Sequence, residues 1–293
     1  MLRKELDGVR AAGGTVGLVP TMGSLHRGHA SLIERCAADC DVTVVTIFVN
    51  PLQFGPGEDL VLYPRDLDAD VALAAGCGAS IVFAPPEGEM FPGGPPATAV
   101  EVASLSGDLE GDSRPGHFRG VATVVARLFN LAGPCRAYFG EKDFQQLAVV
   151  RRMVADLAWP VAVVGCPTVR DADGLAFSSR NAYLSPDERG AATVLYRALT
   201  EAAAALAGGE HKGDELRRRM ADIVAAEPRA RLDYAEVVDA ATLVPLGTVS
   251  GDARLLLAAW IGGTRLIDNM GVSPVISETA GTSETAGTSE TAG

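Results

Sequence analysis

Short apolar runs alternate with helix-spaced segments over the first 167 residues. Residues 16–19 form a compact run of strand character. Residues 28–39 put Leu32, Ile33, Cys36 and Ala37 on one helical face. Residues 42–49 are almost uninterruptedly apolar, as expected of a central strand buried on both faces, so residues 16–49 predict one β-α-β unit. The alternation continues with a helix over 67–75, a strand over 80–84, a helix over 121–132, a strand over 137–139, a helix over 143–157 and a strand over 161–164. This order predicts an α/β fold with a parallel sheet. Residues 85–96, rich in Pro and Gly, read as a surface loop.

Near residue 168 the pattern changes. Two helical segments, 186–207 and 213–226, are followed by short strands near 234–238, 254–259 and 265–269. Helices followed by strands without alternation predict a separate α+β domain, giving domains 1–167 and 168–276. Residues 277–293 repeat Ser-Glu-Thr-Ala-Gly-Thr without a large apolar side chain. Such a segment cannot bury enough surface to offset its conformational entropy and is expected to be a disordered tail, to which no function is assigned.

Of the 293 residues 47% are hydrophobic and 21% charged, enough for a sizeable core in one large or two modest domains. No apolar run approaches the roughly 20 residues of a membrane span, and the first residues lack signal-peptide character, so the chain is expected in the cytoplasm and off the membrane. The net charge is −12; the last 17 residues hold three Glu and no basic group, leaving −9 on residues 1–276. That balance argues against a nucleic-acid partner, which needs a basic footprint, but allows a small anion in a locally basic pocket. The five cysteines (Cys36, Cys40, Cys77, Cys135, Cys166) are spread out with no Cys-x-x-Cys pair and read as reduced packing thiols.

In an open parallel sheet, ligands bind beyond the carboxyl ends of the strands, so the residues after each strand carry the most information. After the first comes Pro20-Thr21-Met22-Gly23-Ser24-Leu25-His26-Arg27-Gly28-His29, holding two of the four histidines three residues apart. A helix N-terminus there favours anions, imidazoles would hydrogen-bond phosphates and donate a proton as pyrophosphate departs, and Gly23 and Gly28 would allow close backbone approach. The plainer alternative is a capped turn with two surface histidines. After the second strand, Asn50-Pro51-Leu52-Gln53-Phe54-Gly55 offers in Gln53 an uncharged donor and acceptor suited to a hydroxy acid or an amine; alone it would be an ordinary loop residue.

A later strand leads into Gly140-Glu141-Lys142-Asp143-Phe144-Gln145-Gln146. Lys142 opens a helix whose dipole disfavours a cation unless an anion lies between them. Asp143 is a candidate N-cap, and Gln146, one turn on, would help read the substrate. In Asp173-Gly174-Leu175-Ala176-Phe177-Ser178-Ser179-Arg180-Asn181, two hydroxyls and a guanidinium would close over a triphosphate, although the string alone is also a plain turn. The Asp66, Asp68, Asp70 cluster fits either a Mg²⁺ site or, more commonly, the acidic first turn of a helix. His117 sits in a basic Arg114–Gly120 segment of lid character, and His211 reads as surface.

With these motifs, and with Tyr63-Pro64-Arg65, His117-Phe118-Arg119-Gly120-Val121 and Leu266-Ile267-Asp268-Asn269, the chain resembles the pantoate–β-alanine ligases (pantothenate synthetases) of the nucleotidylyltransferase superfamily over residues 6–269. Several motifs in order are far more specific than one His-x-Gly-His. The resemblance implies a Rossmann-like N-terminal domain, a smaller α+β C-terminal lid domain and a homodimer. It implies that pantoate and MgATP give pantoyl adenylate and pyrophosphate, after which β-alanine attacks to give pantothenate and AMP. Carried over by motif, Met22, Gly23, Ser24, Leu25, His26, Arg27, Gly28 and His29 would contact ATP, with His29 the proton donor and His26 a phosphate ligand. Gly140, Glu141, Lys142, Asp143, Val169, Phe177, Ser178, Ser179 and Arg180 would complete the ATP site, with Lys142 and Arg180 neutralising phosphate charge. Gln53 and Gln146 would hold pantoate, Gln53 lying close to β-alanine too, while the Mg²⁺ ligands are not identified. Leu52 and Phe177 depart from the usual Met and Leu or Met.

Two other functions remain on sequence grounds. An adenylyltransferase of the same superfamily acting on a phosphorylated substrate would explain the first motif but not Gln53, Gln146 or the second domain. A catalytically silent nucleotide-binding regulator would not need both His29 and Lys142. A tRNA synthetase is disfavoured by size and acidity.

Overall fold

The alternation of buried strands and amphipathic helices builds a five-stranded parallel sheet in the order β3-β2-β1-β4-β5: β1 (Val16–Thr21), β2 (Val42–Ile47), β3 (Ile81–Phe83), β4 (Cys135–Gly140) and β5 (Val161–Cys166). The computed structural model describes residues 2–58 and 60–274; the expected tail over 277–293 lies outside the described residues. On one face of the sheet lie α1 (Leu2–Ala11), α7 (His117–Ala132) and α8 (Phe144–Asp156), around Leu6, Leu18, Val44, Val125, Phe129 and Leu147. The other face is covered by α2 (Arg27–Asp39) and α3 (Leu67–Gly76), around Val19, Ile33, Cys36, Val45 and Ala74. Between β3 and α7 run three one-turn helices, α4 (Glu87–Met90), α5 (Ala103–Ser106) and α6 (Glu110–Ser113).

Strand order reverses between β1 and β4, which places the ligand crevice of such a sheet there. β1 and β4 pair only at Gly17 and Leu18, whereas β1 follows β2 through Thr21. Pro20, which has no N–H to donate, lies beyond the last β1–β4 pair, so the two strands part where the crevice opens. At Gly17 a Cβ would stand 2.1 Å from the Cys36 Sγ, which is why α2 can lie so close on β1.

After β5 the chain forms α9 (Pro186–Ala191), α10 (Val194–Ala207) and α11 (Gly213–Ala225), packed on an antiparallel sheet of β6 (Ala230–Asp239), β7 (Ala253–Ile261) and β8 (Thr264–Val272). Its core holds Leu195, Leu199, Met220, Leu255 and Leu257. Phe144, from the large sheet's side, packs with Val238, Leu243 and Leu256 and joins the two halves.

Most expected elements form, with four differences. Helix α1 precedes β1, where no element was expected. The expected 186–207 helix divides at Ala192 and Thr193 into α9 and α10. The 85–96 segment is not wholly superficial, since α4 tucks Met90 and Phe91 into the main core. Helix α7 begins at His117, four residues earlier than its apolar periodicity suggests, because the start is set by Gly116 in a left-handed conformation (φ 82°). The cysteines are unpaired thiols, Cys36, Cys135 and Cys166 buried, in accord with packing roles. Among the described residues no helix is long and apolar enough to cross a membrane.

Candidate active site

The loop from β1 to α2 is a structural device in its own right. His26 is the N-cap of α2: its Nδ1 accepts from the Gly28 N–H at 3.1 Å, while the His29 Nδ1 accepts from the His26 N–H at 3.3 Å, a capping box made of two imidazoles. The capping and ligand-binding readings of the pair are therefore both available at once. With each Nδ1 accepting, the neutral rings carry their proton on Nε2. Burial and the nearby Lys142 lower the His26 pKa to about 4. Burial, His26 and Lys142 lower His29 to about 3 against the opposing pull of Asp143. Both imidazoles are thus neutral Nε2–H donors at neutral pH.

Asp70, buried on α3, grips the same loop by accepting from the Ser24 N–H (2.9 Å) and the Leu25 N–H (2.7 Å). Gly23 (φ 84°) is required there, since a Cβ would lie 2.7 Å from the Asp70 carboxylate. Asp66 caps α3 through the Ala69 N–H. The acidic cluster is thus a cap and a loop clamp, and among the described residues no group of three or more His, Cys, Asp or Glu is arranged to hold a metal.

After β2, Asn50 caps the turn Pro51–Gln53 and donates from Nδ2 to the Gln53 Oε1 (3.0 Å) and the Gly120 carbonyl (3.1 Å). The Gln53 Nε2 reaches the Met22 Sδ at 3.1 Å, so the first two motifs touch. Buried His117 accepts from Arg114 at Nε2 (3.0 Å) and donates from Nδ1 to the Gln53 carbonyl (2.8 Å). Burial and the Arg114 charge lower its pKa to about 4. Arg114 in turn forms a two-pronged pair with Glu58 (2.6 and 2.9 Å). His117 is therefore a strut under the Gln53 turn and not part of a mobile basic lid.

After β4, Lys142 stands with its Nζ 3.6 Å from the Asp143 carboxylate. Asp143 precedes α8 but makes no side-chain cap, contrary to one of its expected uses. Burial pushes its pKa up, but Lys142 and Arg180 outweigh that and hold it below the usual range. Gln145 is structural, accepting from the Glu110 N–H and donating to the Leu105 and Asp108 carbonyls, which leaves Gln146 facing the cleft. In the 170s loop, Phe177 stacks on the His26 ring with 6.2 Å between centroids, and Ser178 caps the turn Ser179–Tyr183 that carries Arg180.

These elements enclose a cleft with two lobes, of about 230 and 360 Å³, which share Arg114, His117, Lys142, Asp143, Gln146, Ser178 and Arg180. The smaller lobe brings together Met22, His26, Gly28, His29, Gln53, Gly140, Lys142, Asp143, Gln146, Val169, Phe177, Ser178, Ser179 and Arg180. Gly23, Ser24, Leu25, Arg27 and Glu141 belong to the same turns without lining it. Arg27 is exposed beside Phe177, and Glu141 faces the small sheet to pair with Arg254 at 3.1 Å.

The family profile described as pantoate-beta-alanine ligase matches residues 1–271. The chain belongs to the pantoate–β-alanine ligase family. Its activity is that family's ligase reaction. Curated pantothenate synthetases of Roseiflexus sp. (strain RS-1) and Deinococcus radiodurans are 55% and 56% identical, each over 90% of this chain and 95% of its own length. The crystal structure of pantothenate synthetase from Thermus thermophilus superposes with a TM-score of 0.85 at 53% identity, covering 92% of this chain and 98% of that one. That of the Francisella tularensis ligase, complexed with beta-gamma ATP and beta-alanine, gives 0.74 at 33% identity over 91% and 94%. Against this pantoate–β-alanine ligase frame, several contributors to the cleft act in ways that the sequence did not indicate. Asp70, Asn50 and His117 act through contacts with backbone far away in sequence. Thr168 lines the smaller lobe with a buried, unpartnered Oγ1 that no motif marked.

Proposed function

We propose that the smaller lobe holds ATP and pantoate side by side, so that a pantoate carboxylate oxygen attacks the α-phosphorus while the bond to the β-phosphate oxygen breaks and pyrophosphate leaves. The amine of β-alanine then attacks the acyl carbon of the mixed anhydride, loses a proton and expels AMP. A carboxylate is too poor an electrophile to meet an amine directly, and adenylation supplies the leaving group. The observation that carries this reading is the convergence of two uncharged amides, Gln53 and Gln146, with the donors His26, His29, Lys142 and Arg180 in one cleft. The amides suit a hydroxy acid, and the donors suit charge growing on a departing pyrophosphate. The paired amides and the second sheet favour this over adenylyl transfer to a phosphorylated acceptor.

His26 and His29 act as hydrogen-bond donors from Nε2, because neutral imidazoles carry no labile acidic proton to give away; this replaces the proton-donor role expected of His29. Lys142 and Arg180 neutralise phosphate charge, and Ser178 and Ser179 close over it. Catalysis is positioning and charge stabilisation without a covalent enzyme intermediate. The residues fit a Mg²⁺ carried mainly by the phosphates, since Asp143 lines the cleft and holds Lys142 at a loose 3.6 Å, while Glu58, Asp70 and Asp268 are committed to close protein partners. Asp143 would hold that ion, which neutralises phosphate charge when bound. The same reading includes a domain boundary near residue 168 with the second domain as a lid, a homodimer, and work in the cytoplasm.

Purified protein given pantoate, β-alanine and MgATP should form AMP and pantothenate only with all three present; ADP, or no turnover, overturns the proposal. His29→Ala and Lys142→Ala should each slow adenylate formation by about 10²–10³-fold with the fold intact.

A further inference from the structure

The Leu266–Asn269 motif lies on β8, in the small sheet, yet it reaches the turn that carries Lys142. The Asn269 side chain, 3% exposed, spends both amide hydrogens on that turn, donating to the Glu141 carbonyl at 2.9 Å and the Lys142 carbonyl at 2.7 Å. Its Oδ1 accepts from the Arg254 Nε at 2.6 Å, and Arg254 goes on to pair with the Glu141 carboxylate and stack over Phe144 at 4.1 Å. Behind it, Asp268 accepts from the Asn269 N–H and holds Arg170 at 2.6 and 2.9 Å, tying in the loop that leads to Ser178 and Arg180. The turn Glu141–Asp143 has little support of its own: neither it nor α8 has a side-chain cap, and its cation sits at the unfavourable end of a helix.

We propose that Asn269 is a positioning residue that holds Lys142 in its working geometry, so that the adenylation step depends on a donor supplied by the small sheet. The inference rests on the role proposed above for Lys142. In Asn269→Asp the shape is kept but both donors are lost, and a carboxylate faces two carbonyls. A displacement near 1 Å at such a site costs about 10²-fold in rate. Two reactions separate the steps: pantoate-dependent exchange of labelled pyrophosphate into ATP, and reaction of preformed pantoyl adenylate with β-alanine.

Asn269→Asp should slow the exchange by about 10²-fold and leave the second reaction within a few-fold of the parent. The decisive comparison is the double variant Asn269→Asp/Lys142→Ala, which should be no slower in exchange than Lys142→Ala by itself, because a residue acting through Lys142 has nothing left to position. Losses that multiply, or a folded Asn269→Asp that exchanges normally, overturn the inference. If Asn269→Asp fails to fold, Asn269→Ser, which keeps one small donor, takes its place in the same cycle and is read in the same way. Normal exchange in Lys142→Ala would instead sink the role of Lys142 itself, so the two failures are told apart.

Discussion

The imidazole pair shows how much chemistry a single capping arrangement can fix. Because each Nδ1 receives a backbone N–H, protonating either ring would set two donors against each other and break the start of α2. Burial and Lys142 act in the same direction on His26. In ¹⁵N-labelled protein the two rings should appear as neutral Nε2–H tautomers at pH 7 and stay so down to about pH 5, with folded pKa values of about 4 and 3. A midpoint near 6.5 for either ring, or an Nδ1–H tautomer, would refute the capping geometry as the source of the donors. At this scale, residues after strand ends were legible because His26, His29, Gln53, Lys142, Gln146 and Arg180 are polar groups that packing does not demand where they occur. The holding roles of Asp70 and Asn269 were not, although both residues stood in motifs, because their partners lie 45 or 46 and 127 or 128 residues away and the bond is to backbone, which leaves no pattern in the sequence.

Between elements, the contact of α7 with the Pro51–Gln53 turn decides where Gln53 points. Gly120 makes it possible: a Cβ there would stand 2.1 Å from the Leu52 carbonyl oxygen and 2.6 Å from the Gln53 nitrogen, both backbone atoms that cannot rotate aside. Gly120→Ala must push the turn away from α7 and disturb the Asn50 bond to the Gly120 carbonyl. The expected cost is about 1–3 kcal/mol of stability, with KM for pantoate raised more than KM for ATP. Gly8→Ala, in open space on α1, serves as control and should be neutral or slightly stabilising in urea unfolding. An unchanged pantoate KM in folded Gly120→Ala would mean that the turn does not shape the pantoate site. The strands and long helices were legible from periodicity because burial writes itself into spacing. The start of α7 was not, since Arg114, His117 and Gly120 serve the Gln53 turn and interrupt the apolar register.

For the molecule as a whole, the parallel sheet followed from the β-α-β order, but its strand order, with the reversal between β1 and β4, and the union of the two halves did not. It rests on pairs such as Arg265 with Glu110 (2.7 and 2.8 Å) and Arg254 with Glu141, whose partners no periodicity connects. The folded state also binds protons differently from the unfolded chain. His26, His29 and His117 have folded pKa values of about 4, 3 and 4, below the ordinary value of 6.5. Between those limits the unfolded chain takes up protons that the folded chain refuses, so acid favours unfolding. Each proton contributes about 1.4 kcal/mol per pH unit, and the three together a limiting slope of about 4 kcal/mol per unit. Their contribution is fully present above pH 6.5 and is lost as pH falls from there toward 4 for His26 and His117 and toward 3 for His29. The lowered carboxyls of Asp143 and Glu58 push the same way at more acid pH. Urea unfolding between pH 7.5 and 5 should therefore show stability dropping steeply below 6.5. His117→Gln, which keeps a donor for the Gln53 carbonyl, should be less stable than the parent at pH 7.5 yet lose less on acidification. If the two pH curves run parallel, His117 takes up its proton at the same pH in the folded and unfolded protein, and the strut beneath Gln53 is not held neutral as described.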